Sequence, residues 1–421
     1  MTHDTNIPHG YKATALGIIP QEWEVKKLGE DGKLLSGLTY TPSNIQSDGI
    51  LVLRSSNIQN GVLAFDDNVY VNVSSYTPVK AGDILICVRN GSQNLIGKTA
   101  LITQEAEGCA FGAFMAVFRS PISKYVFYLL GTELYRKYIF RNLGATINSI
   151  NGSDLKKFRF PFPPLAEQRM IAEVLGVWDE AIEKQARLIE KLALRKRALM
   201  QRLLSAKLRL PGFSEPWEKV KLGDIGHFLS SNTLSRDCLN EQIGNIKNIH
   251  YGDILIKLPT IVDASFIHIP YVNDDVIVKS DYLKNGDIIF ADTAEDYTVG
   301  KAIEIINIQA IPVTSGLHTI PFRPKSGIFV NRFLGYYVNS TDYRRQLQPL
   351  IQGIKVYSIS KTALCKTTLK IPTLSEQTAI AEVLTAADRE IELAKEKLER
   401  LRRQKRGLMQ QLLTGKRRIK Y

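Results

Sequence analysis

The most constraining feature of this sequence is a long segment that occurs twice. Residues 163–209 align without a gap onto residues 372–418, and 23 of the 47 paired positions are identical. The pair Glu167-Gln168, for example, matches Glu376-Gln377, whereas the regions that precede the two copies resemble each other far less. Two closely similar segments beside two divergent ones predict a repeated frame that holds two different functional units.

Both copies show the pattern of a coiled-coil seam, because their apolar residues recur at alternating steps of four and three. In the first copy the seam positions are Ile171, Leu175, Trp178, Ile182, Ile189, Leu192, Leu199 and Leu203. In the second copy they are Ile380, Leu384, Ala387, Ile391, Ala394, Leu398, Leu401, Leu408 and Leu412. Two similar helices in one chain pair most economically with each other, and an antiparallel pair is expected to place one globular unit at each end.

Two equivalent seam positions are occupied by lysine, Lys196 and Lys405. One interpretation, which we favour, is that these long side chains reach solvent from a frayed helix end. The alternative is that they set the register or the orientation of the pair, as polar seam residues can.

Each copy ends in a run of basic residues. A helix C-terminus stabilises nearby cations, but this effect accounts for only part of so many charges, and the remainder could contact phosphates or an acidic partner surface. The basic residues are Lys191, Arg195, Lys196, Arg197, Arg202, Lys207 and Arg209 in the first copy, and Arg400, Arg402, Arg403, Lys405, Arg406, Lys416, Arg417, Arg418 and Lys420 in the second.

The charge balance narrows the choice of binding partner. The 421 residues carry a net charge of +13, which favours a polyanion such as the nucleic-acid backbone; a merely soluble basic protein is the alternative. No apolar run reaches the roughly 20 residues of a membrane helix, and the polar start lacks the apolar region of a signal peptide. The four cysteines form no CxxC pair, so we expect a reduced, cytoplasmic protein without a zinc site or disulfides.

The regions before the two repeats are related globular units with shared landmarks. The start of each unit is marked by Trp23 to Gly29 and by Trp217 to Gly223. Short β-branched runs broken by Gly, Asn and Asp turns predict a strand-rich α+β unit. Further matching pairs are Gly82-Asp83 with Gly286-Asp287, Gly97-Lys98 with Gly300-Lys301, Phe118-Arg119 with Phe322-Arg323, and Ser149-Ile150 with Ser358-Ile359.

The order of these parts resembles the specificity subunit of type I restriction-modification systems. The resemblance is carried by the unit start W-E-V-K-K-L-G, the helix start E-Q-x-x-I-A-x-V-L and the helix ending L-M-Q-x-L-L, and it covers almost the whole chain. It implies two strand-rich α+β target recognition domains, separated by two long helices that pair as an antiparallel coiled coil in a pseudo-twofold repeat. Each domain would read one half of an interrupted double-stranded DNA site.

The resemblance also implies partners and a division of the chain. Two methyltransferase subunits would dock on the helices and hold S-adenosylmethionine, while restriction and translocase subunits would hold ATP and Mg²⁺; this chain would need no cofactor or metal of its own. We expect target recognition domain 1 over 1–160, a central spacer helix over 163–205, a linker over 206–216, target recognition domain 2 over 217–370, a C-terminal spacer helix over 372–414 and a basic tail over 415–421.

The sequence gives little support for chemistry within this chain. The run from Gly91 to Thr99 resembles a P-loop but has five residues between its glycines instead of four. A turn that places Lys98 and Lys301 similarly in the two units is the simpler interpretation. No D-P-P-Y or N-P-P-Y element of amino-methyltransferases occurs, and the six histidines are dispersed. His250 and His318 lie in the same unit as several carboxylates, but solvated loop residues explain them more simply, so a catalytic role is not expected.

The predicted DNA contacts are polar residues that follow short strands, where their side chains lie at loops and can reach base edges and phosphates. In the first unit the candidates are Arg54, Ser55, Asn57, Arg89, Asn90, Gln93, Asn94 and Lys98. In the second unit they are Lys247, Asn248, His250, Tyr251, Asp292, Thr293, Tyr297, Lys301, Lys355 and Tyr357. Because the two units differ, the two half-sites are expected to differ.

Two rival interpretations remain at this point. The first is a coiled-coil adaptor whose units bind proteins; it would lack the steep loss of affinity with added salt that phosphate contacts cause. The second is a self-contained DNA-modifying enzyme, which would need a methyl-donor or metal site that the sequence does not reveal.

Overall fold

The computed structural model describes residues 7–143 and 148–419 of the chain. It divides into two compact units, one formed by Met1–Gln185 with Lys397–Tyr421 and the other by Ala186–Glu396. We call them unit 1 and unit 2. The expected domain over 1–160 and the basic tail over 415–421 therefore include a few residues (1–6, 144–147 and 420–421) that lie outside the described part.

Unit 1 contains fourteen short strands and three short helices among its described residues, followed by the first long helix. The strands are β1 (Tyr11–Thr14), β2 (Gly17–Pro20), β3 (Glu24–Lys27), β4 (Lys33–Ser36), β5 (Ile45–Gln46), β6 (Ile50–Leu53), β7 (Ile58–Gln59), β8 (Val62–Leu63), β9 (Tyr70–Val71), β10 (Ile84–Cys87), β11 (Thr99–Leu101), β12 (Ala110–Phe111), β13 (Met115–Arg119) and β14 (Arg159–Phe162). The helices are α1 (Ser123–Leu129), α2 (Glu133–Asn142), α3 (Gly152–Lys157) and α4 (Leu165–Leu203).

Unit 2 repeats this order. Its strands are β15 (Glu218–Lys221), β16 (Gly226–Phe228), β17 (Leu239–Asn240), β18 (Lys247–Ile249), β19 (Ile261–Asp263), β20 (Tyr271–Val272), β21 (Ile288–Ala291), β22 (Thr293–Ala294), β23 (Ala302–Ile306), β24 (Val313–Ser315), β25 (Thr319–Pro324), β26 (Tyr357–Ser358) and β27 (Thr368–Ile371). Its helices are α5 (Phe333–Val338), α6 (Thr341–Leu347), α7 (Lys361–Cys365) and α8 (Leu374–Leu412).

Each unit is built on two small sheets with matching topology. In unit 1 the strand orders are β11-β10-β13-β4 and β12-β6-β9-β5. In unit 2 they are β16-β25-β21-β23-β19 and β17-β20-β18-β24, so β19 is an additional edge strand. The central strands β10 and β21 are buried along their whole length, as expected for a sheet covered on both faces.

The landmarks shared by the two units meet in space. Asp83 at the start of β10 accepts two short hydrogen bonds from Arg119 at the end of β13 (2.9 and 2.7 Å), and Asp287 accepts the equivalent bonds from Arg323. Both aspartates are nearly fully buried. A buried carboxylate needs such a charged partner, which explains why these separate sequence landmarks occur together.

The two long helices pair antiparallel inside each unit. In unit 1 the first half of α4 lies beside the second half of α8, where Asp179 meets Lys405. In unit 2 the halves are exchanged, and Asp388 of α8 meets Lys196 of α4. Most of the predicted seam positions, such as Leu175 and Leu384, are buried. The predicted antiparallel pairing of the two long helices and the internal repeat of the chain are therefore confirmed.

The two seam lysines do not behave as the favoured interpretation required. Lys196 lies well before the end of α4, its side chain is only 15% exposed, and it forms an ion pair with Asp388. Its ammonium group also lies 5.3 Å from the ring centre of Tyr336, whose hydroxyl donates to Asp388 (2.7 Å). The frayed-end interpretation is wrong, because a specific cross-helix partner holds the charge.

Unit 1 contains the same three-residue arrangement. Lys405 pairs with Asp179, Tyr128 donates a hydrogen bond of 2.8 Å to the same carboxylate, and the ammonium lies 5.0 Å from the centre of the tyrosine ring. Both arrangements join the two helices to the globular part of their own unit. This geometry favours the alternative that the lysines set register and orientation.

The repeated Glu-Gln pair at the start of each long helix holds that helix to the globular part of its unit. Glu167 is fully buried and accepts hydrogen bonds from the indole of Trp23 (3.1 Å) and from the guanidinium of Arg418 (2.7 and 2.9 Å). The adjacent Gln168 donates to the carbonyl of Pro163 (2.7 Å). The Arg418 guanidinium therefore fastens the segment that follows α8 to the start of α4, and it also donates to Glu22 just before β3 (2.8 Å).

Unit 2 repeats this anchor with Glu376, which accepts from Trp217 (3.0 Å) and Arg209 (2.6 and 2.8 Å). Part of each terminal basic run is thus structural. Among the described residues, no helix is long and apolar enough to cross a membrane.

Candidate nucleic-acid interface

The candidate residues fall on two loops that occupy equivalent positions in both units. The first loop, which we call loop A, follows β6 in unit 1 (residues 54–57) and β18 in unit 2 (residues 250–257). Both preceding strands run parallel to the strand that leads into the central sheet, with Leu53 paired to Phe111 and Ile249 paired to Ser315. This pairing makes His250 the structural counterpart of Arg54.

The second loop, loop B, follows the buried strands β10 and β21 and comprises residues 88–98 and 292–301. A bridge between Arg89 and Ser149 in unit 1 matches the pairing of Thr293 with Ser358 in unit 2. The shared Ser-Ile landmark is therefore the segment that supports loop B in both units. It follows that Arg89 and Thr293 are equivalent positions with different side chains.

In unit 1 the two loops contact each other. The side-chain amide of Asn90 on loop B donates to the hydroxyl of Ser55 on loop A (2.9 Å). Arg54 is held beside them by an ion pair with Asp67 (2.8 Å). The structure thus brings Arg54, Ser55 and Asn90 together, although Ser55 and Asn90 lie 35 positions apart in the sequence.

Two neighbours of this cluster were missed in the sequence. The exposed ring of Phe114 lies 5.7 Å from the guanidinium carbon of Arg89. Asn148 accepts the backbone N–H of Asn90 at its carbonyl and donates through its amide to the carbonyl of Gly91 (2.9 Å). The Ser149-Ile150 landmark was the available signal, because it marks where this supporting segment returns to loop B.

The remaining candidates of unit 1 lie on the outer part of loop B. Gln93, Asn94 and Lys98 are exposed and line an open cleft of about 530 Å³, whose other wall is formed by α2. Gly97 turns the chain there with a φ of +81°, and Gly300 does the same in unit 2 with +76°. Thr99 then begins a strand, whereas a P-loop requires a helix at that point, so this run is a hairpin turn.

Burial changes the interpretation of two candidates. Asn57 is 0% exposed, and its amide accepts from the backbone N–H of Arg54 (2.9 Å) and donates to the carbonyl of Ala64 (2.9 Å). Asn248 is equally buried and accepts from Asn232 (2.8 Å) and Thr314 (2.9 Å). Neither side chain can reach a base in this conformation; we assign both to holding loop A in place.

In unit 2, loops A and B meet through His318, which was not among the predicted DNA contacts. Its ring lies 5.3 Å from that of Tyr251 on loop A. Its Nδ1 atom lies 3.3 Å from both Asp292 and Thr293 on loop B. His318 has a left-handed backbone with φ of +55°, so the tight turn between β24 and β25 delivers this ring to the loop junction.

His250 supports loop A of unit 2 rather than facing outward. It is buried, and its Nδ1 accepts the backbone N–H of Gly252 (3.2 Å). Burial and the nearby Arg236 lower the pKa of His250, which favours the neutral ring that this acceptor role needs. Arg236 itself forms a bidentate ion pair with the buried carboxylate of Asp253 (3.0 and 2.9 Å).

Two lysines of unit 2 are engaged within the protein. Lys301 donates to the backbone carbonyl of Leu255 (2.9 Å), and its burial lowers its pKa. The ammonium of Lys247 lies 5.6 Å from the ring centre of Tyr271. By contrast, Lys355 and Tyr297 are exposed, and Tyr357 stacks on Tyr297 with ring centres 4.8 Å apart.

The site has the character of a recognition surface. Within the described part of the chain, no group of three or more His, Cys, Asp or Glu side chains has a geometry suited to a metal ion. Exposed polar, cationic and aromatic side chains instead lie on loops that rigid sheets support, which is typical of binding sites. Two such units on one duplicated helical frame define a two-domain DNA-recognition protein of mixed helix and sheet.

Comparison with known proteins identifies the family. The model of the type I restriction modification DNA specificity domain matches twice, at residues 20–193 and 214–403. The chain therefore belongs to this family and is a DNA-specificity subunit of the type I restriction-modification class.

Similar proteins carry the name of specificity subunit, and one of them matches nearly the whole chain. The putative type I restriction enzyme MjaX specificity subunit of Methanocaldococcus jannaschii is 26% identical and covers 97% of both chains. The EcoKI specificity subunit of Escherichia coli K12 is 32% identical over 38% of this chain and 36% of its own length.

Two solved structures share the fold. A chain from a study of the assembly and conformational transition of the type I R-M system superposes with a TM-score of 0.58 at 16% identity, covering 94% of this chain and 99% of its own. The S subunit from M. genitalium gives a TM-score of 0.52 at 17% identity, with 98% of each chain covered.

Proposed function

We propose that each unit reads one half of an asymmetric, interrupted DNA target through its loops A and B. The observation that carries this proposal is the contrast between a repeated frame and divergent loop residues. At equivalent positions Arg54 is replaced by His250, Ser55 by Tyr251, and Arg89 by Thr293. Different side chains on equivalent supports are what two different base sequences require.

The two loop sets differ in the contacts they can make. Unit 1 offers the guanidinium of Arg89 and the side-chain amides of Gln93 and Asn94, which suit the bidentate recognition of guanine and adenine respectively. Unit 2 offers the hydroxyl of Thr293, the exposed Tyr297 on loop B and the partly buried Tyr357 of β26, which packs against Tyr297. Lys98 and Lys355, both exposed, are suited to the phosphates that flank each half-site.

The paired helices serve as the spacer in this proposal and dock two methyltransferase subunits, with restriction and translocase subunits joining the same complex. S-adenosylmethionine, ATP and Mg²⁺ belong to those partners, and this chain acts in the cytoplasm as a non-catalytic recognition subunit. The proposal is supported by its relatives, which are named specificity subunits, and by the exposed polar and aromatic side chains of the loops.

A domain exchange tests the proposal. Residues 23–160 are replaced by the corresponding unit of another family member, and methylated adenines are mapped in cells that also carry the partner subunits. We expect one half of the methylated sequence to change and the other half to stay the same. A change in both halves, or no sequence dependence at all, contradicts reading by separate units.

The matched control exchanges residues 217–370 and should change the opposite half only. An adaptor without DNA specificity would leave the methylation pattern unaltered in both exchanges.

A further inference from the structure

A protruding hairpin tip lies beside loop B of unit 2. Gln352 and Ser358 close this hairpin with two backbone hydrogen bonds (3.0 and 2.8 Å). Between them stands Ile354, which is 92% exposed, the most exposed of the large hydrophobic residues in the described part of the chain. Such exposure contributes nothing to the core, and the neighbouring Val356, which is 55% exposed, adds a second apolar side chain at the same tip.

The shape of the tip is fixed rather than loose. Gly353 has a φ of +115°, and a Cβ atom there would lie 1.9 Å from the carbonyl oxygen of Val356. Only glycine fits at this position. The turn therefore holds a defined form that presents Ile354, with the half-exposed Val356 beside it.

The stem of the hairpin is joined directly to the candidate interface. Ser358 pairs with Thr293, and the backbone N–H of Ile359 donates to the carbonyl of Asp292 (2.9 Å). Tyr357 stacks on the exposed Tyr297 of the same loop. Loop B is fixed in turn by Arg344, which donates to the carbonyl of Tyr297 (2.6 Å). The tip is thus part of the surface that reads DNA.

We propose that Ile354 recognises the 5-methyl group of a thymine in the major groove of the second half-site, an inference that rests on the proposed function. The major groove admits a two-stranded ribbon, and the methyl of thymine is the apolar group that base pairs present there. The exposed Lys355 adds a cation next to this contact, which suits a surface that approaches phosphates. A neutral protein partner would gain nothing from that charge.

The test uses the full chain assembled with its methyltransferase subunits and a duplex that carries the target mapped by adenine methylation. Each thymine of the second half-site is replaced singly by deoxyuridine, which removes only the methyl group. We expect one replacement to weaken binding about fourfold, the value of one buried methyl-sized group. Ile354→Ala should weaken binding to the thymine duplex by a similar factor and should no longer distinguish thymine from deoxyuridine at that position.

Phe266→Ala is the matched control. Phe266 is similarly exposed, at 77%. It follows β19, whose last residue, Asp263, pairs with Ile306. This is the end of the sheet that lies opposite loop B. This variant should bind and discriminate as the wild type does. A second variant, Ile354→Val, retains a branched side chain and should keep part of the discrimination.

Several outcomes overturn the inference. The inference is wrong if the wild type binds every deoxyuridine duplex as tightly as the thymine duplex. It is also wrong if Ile354→Ala still distinguishes thymine from deoxyuridine. If Ile354→Ala weakens binding without any methyl dependence, the side chain inserts between bases instead. If it weakens only assembly with the methyltransferase subunits, its partner is a protein. If the wild type binds all duplexes equally, whatever their sequence, the proposed function itself is refuted.

Discussion

At the scale of single residues, Glu304 is a clear case of a carboxyl group whose pKa is raised by burial. It is buried on β23 and accepts hydrogen bonds from the backbone N–H groups of Arg332 and Gly335 at the start of α5. Burial raises its pKa from 4.5 to about 7, and these two hydrogen bonds oppose the shift. Gly335 permits the close approach, because a Cβ atom there would lie 2.7 Å from Glu304.

This raised pKa has a consequence for stability. Between about pH 4.5 and 7 the folded protein keeps a proton on Glu304 that the unfolded chain has lost. Its stabilising contribution is therefore fully present below pH 4.5 and is lost as the pH rises through 7, at a rate of at most about 1.4 kcal/mol per pH unit. Glu304→Gln carries no titratable proton, so the variant should gain stability relative to the wild type as the pH rises from 5 to 8.

Calorimetric unfolding at several pH values measures this difference. Glu295→Gln, which removes an exposed carboxylate of the same unit, controls for the loss of one negative charge. A difference between Glu304→Gln and wild type that stays constant from pH 5 to 8 would show that Glu304 does not titrate in this range.

At the scale of elements, the Lys-Asp-Tyr arrangements explain how two helices of similar sequence choose one alignment. A seam of apolar residues alone tolerates a shift by one heptad, whereas a partly buried charge must meet its partner. Lys196 with Asp388, and Lys405 with Asp179, satisfy this condition in the antiparallel alignment. The tyrosines Tyr336 and Tyr128 extend the same contact to the globular part of each unit.

We expect Lys196→Asp to destabilise unit 2, because two carboxylates would then face each other beside Tyr336. Because the ion pair is partly buried, the variant should lose about 1–3 kcal/mol of unfolding free energy. The double variant Lys196→Asp with Asp388→Lys should recover part of this loss, as a double-mutant cycle of thermal unfolding can measure. The control is Lys395→Asp, which alters an exposed ion pair with Glu392 inside α8 and should change stability by less than about 0.5 kcal/mol. If the double variant recovers no stability, the register role is contradicted.

The helices and their pairing could be predicted from sequence because the heptad spacing is a local property. The structure gives the helices as Leu165–Leu203 and Leu374–Leu412, against expected ranges of 163–205 and 372–414. The role of the seam lysines could not be predicted, since their partners lie about 200 residues away. Asparagine is common in surface loops, yet Asn57 and Asn248 are buried. The amide of Asn57 bonds backbone groups of its own loop, and the amide of Asn248 bonds the side chains of Asn232 and Thr314.

At the scale of the whole molecule, the candidate site could be predicted only as groups. The rule that polar residues follow a strand pointed to the segments of loops A and B. It did not predict the contact between Ser55 and Asn90 or the position of His318 between the two loops of unit 2. Such contacts depend on how strands pair across the sheet, which the chain order alone does not reveal. On the hairpin closed by Gln352 and Ser358, Lys355 and Tyr357 were predicted as contacts but Ile354 was not, because an exposed apolar residue carries no polar signal in the sequence.

The division into units suggests where the spacer can be lengthened without disturbing either one. The boundaries lie at Gln185/Ala186 in α4 and at Glu396/Lys397 in α8. A seven-residue insertion at both boundaries leaves the contacts inside each unit intact and returns the apolar seam to the same face. It adds about 10 Å to each helix, equivalent to about three base pairs of DNA.

We therefore expect the gap in the methylated target to lengthen by about three base pairs. Three base pairs also rotate the duplex by about a third of a turn, so we expect weaker binding than for the wild type, because one half-site must twist to face its unit. Methylation mapping measures the gap, and binding to duplexes with gaps of different length measures the penalty. The matched control inserts seven residues in α4 only, which shifts the apolar seam of α4 against that of α8. This variant should fail to pair its helices correctly and should not methylate a target with a longer gap. If the complex that carries both insertions still methylates the wild-type target, the helices do not set the spacing.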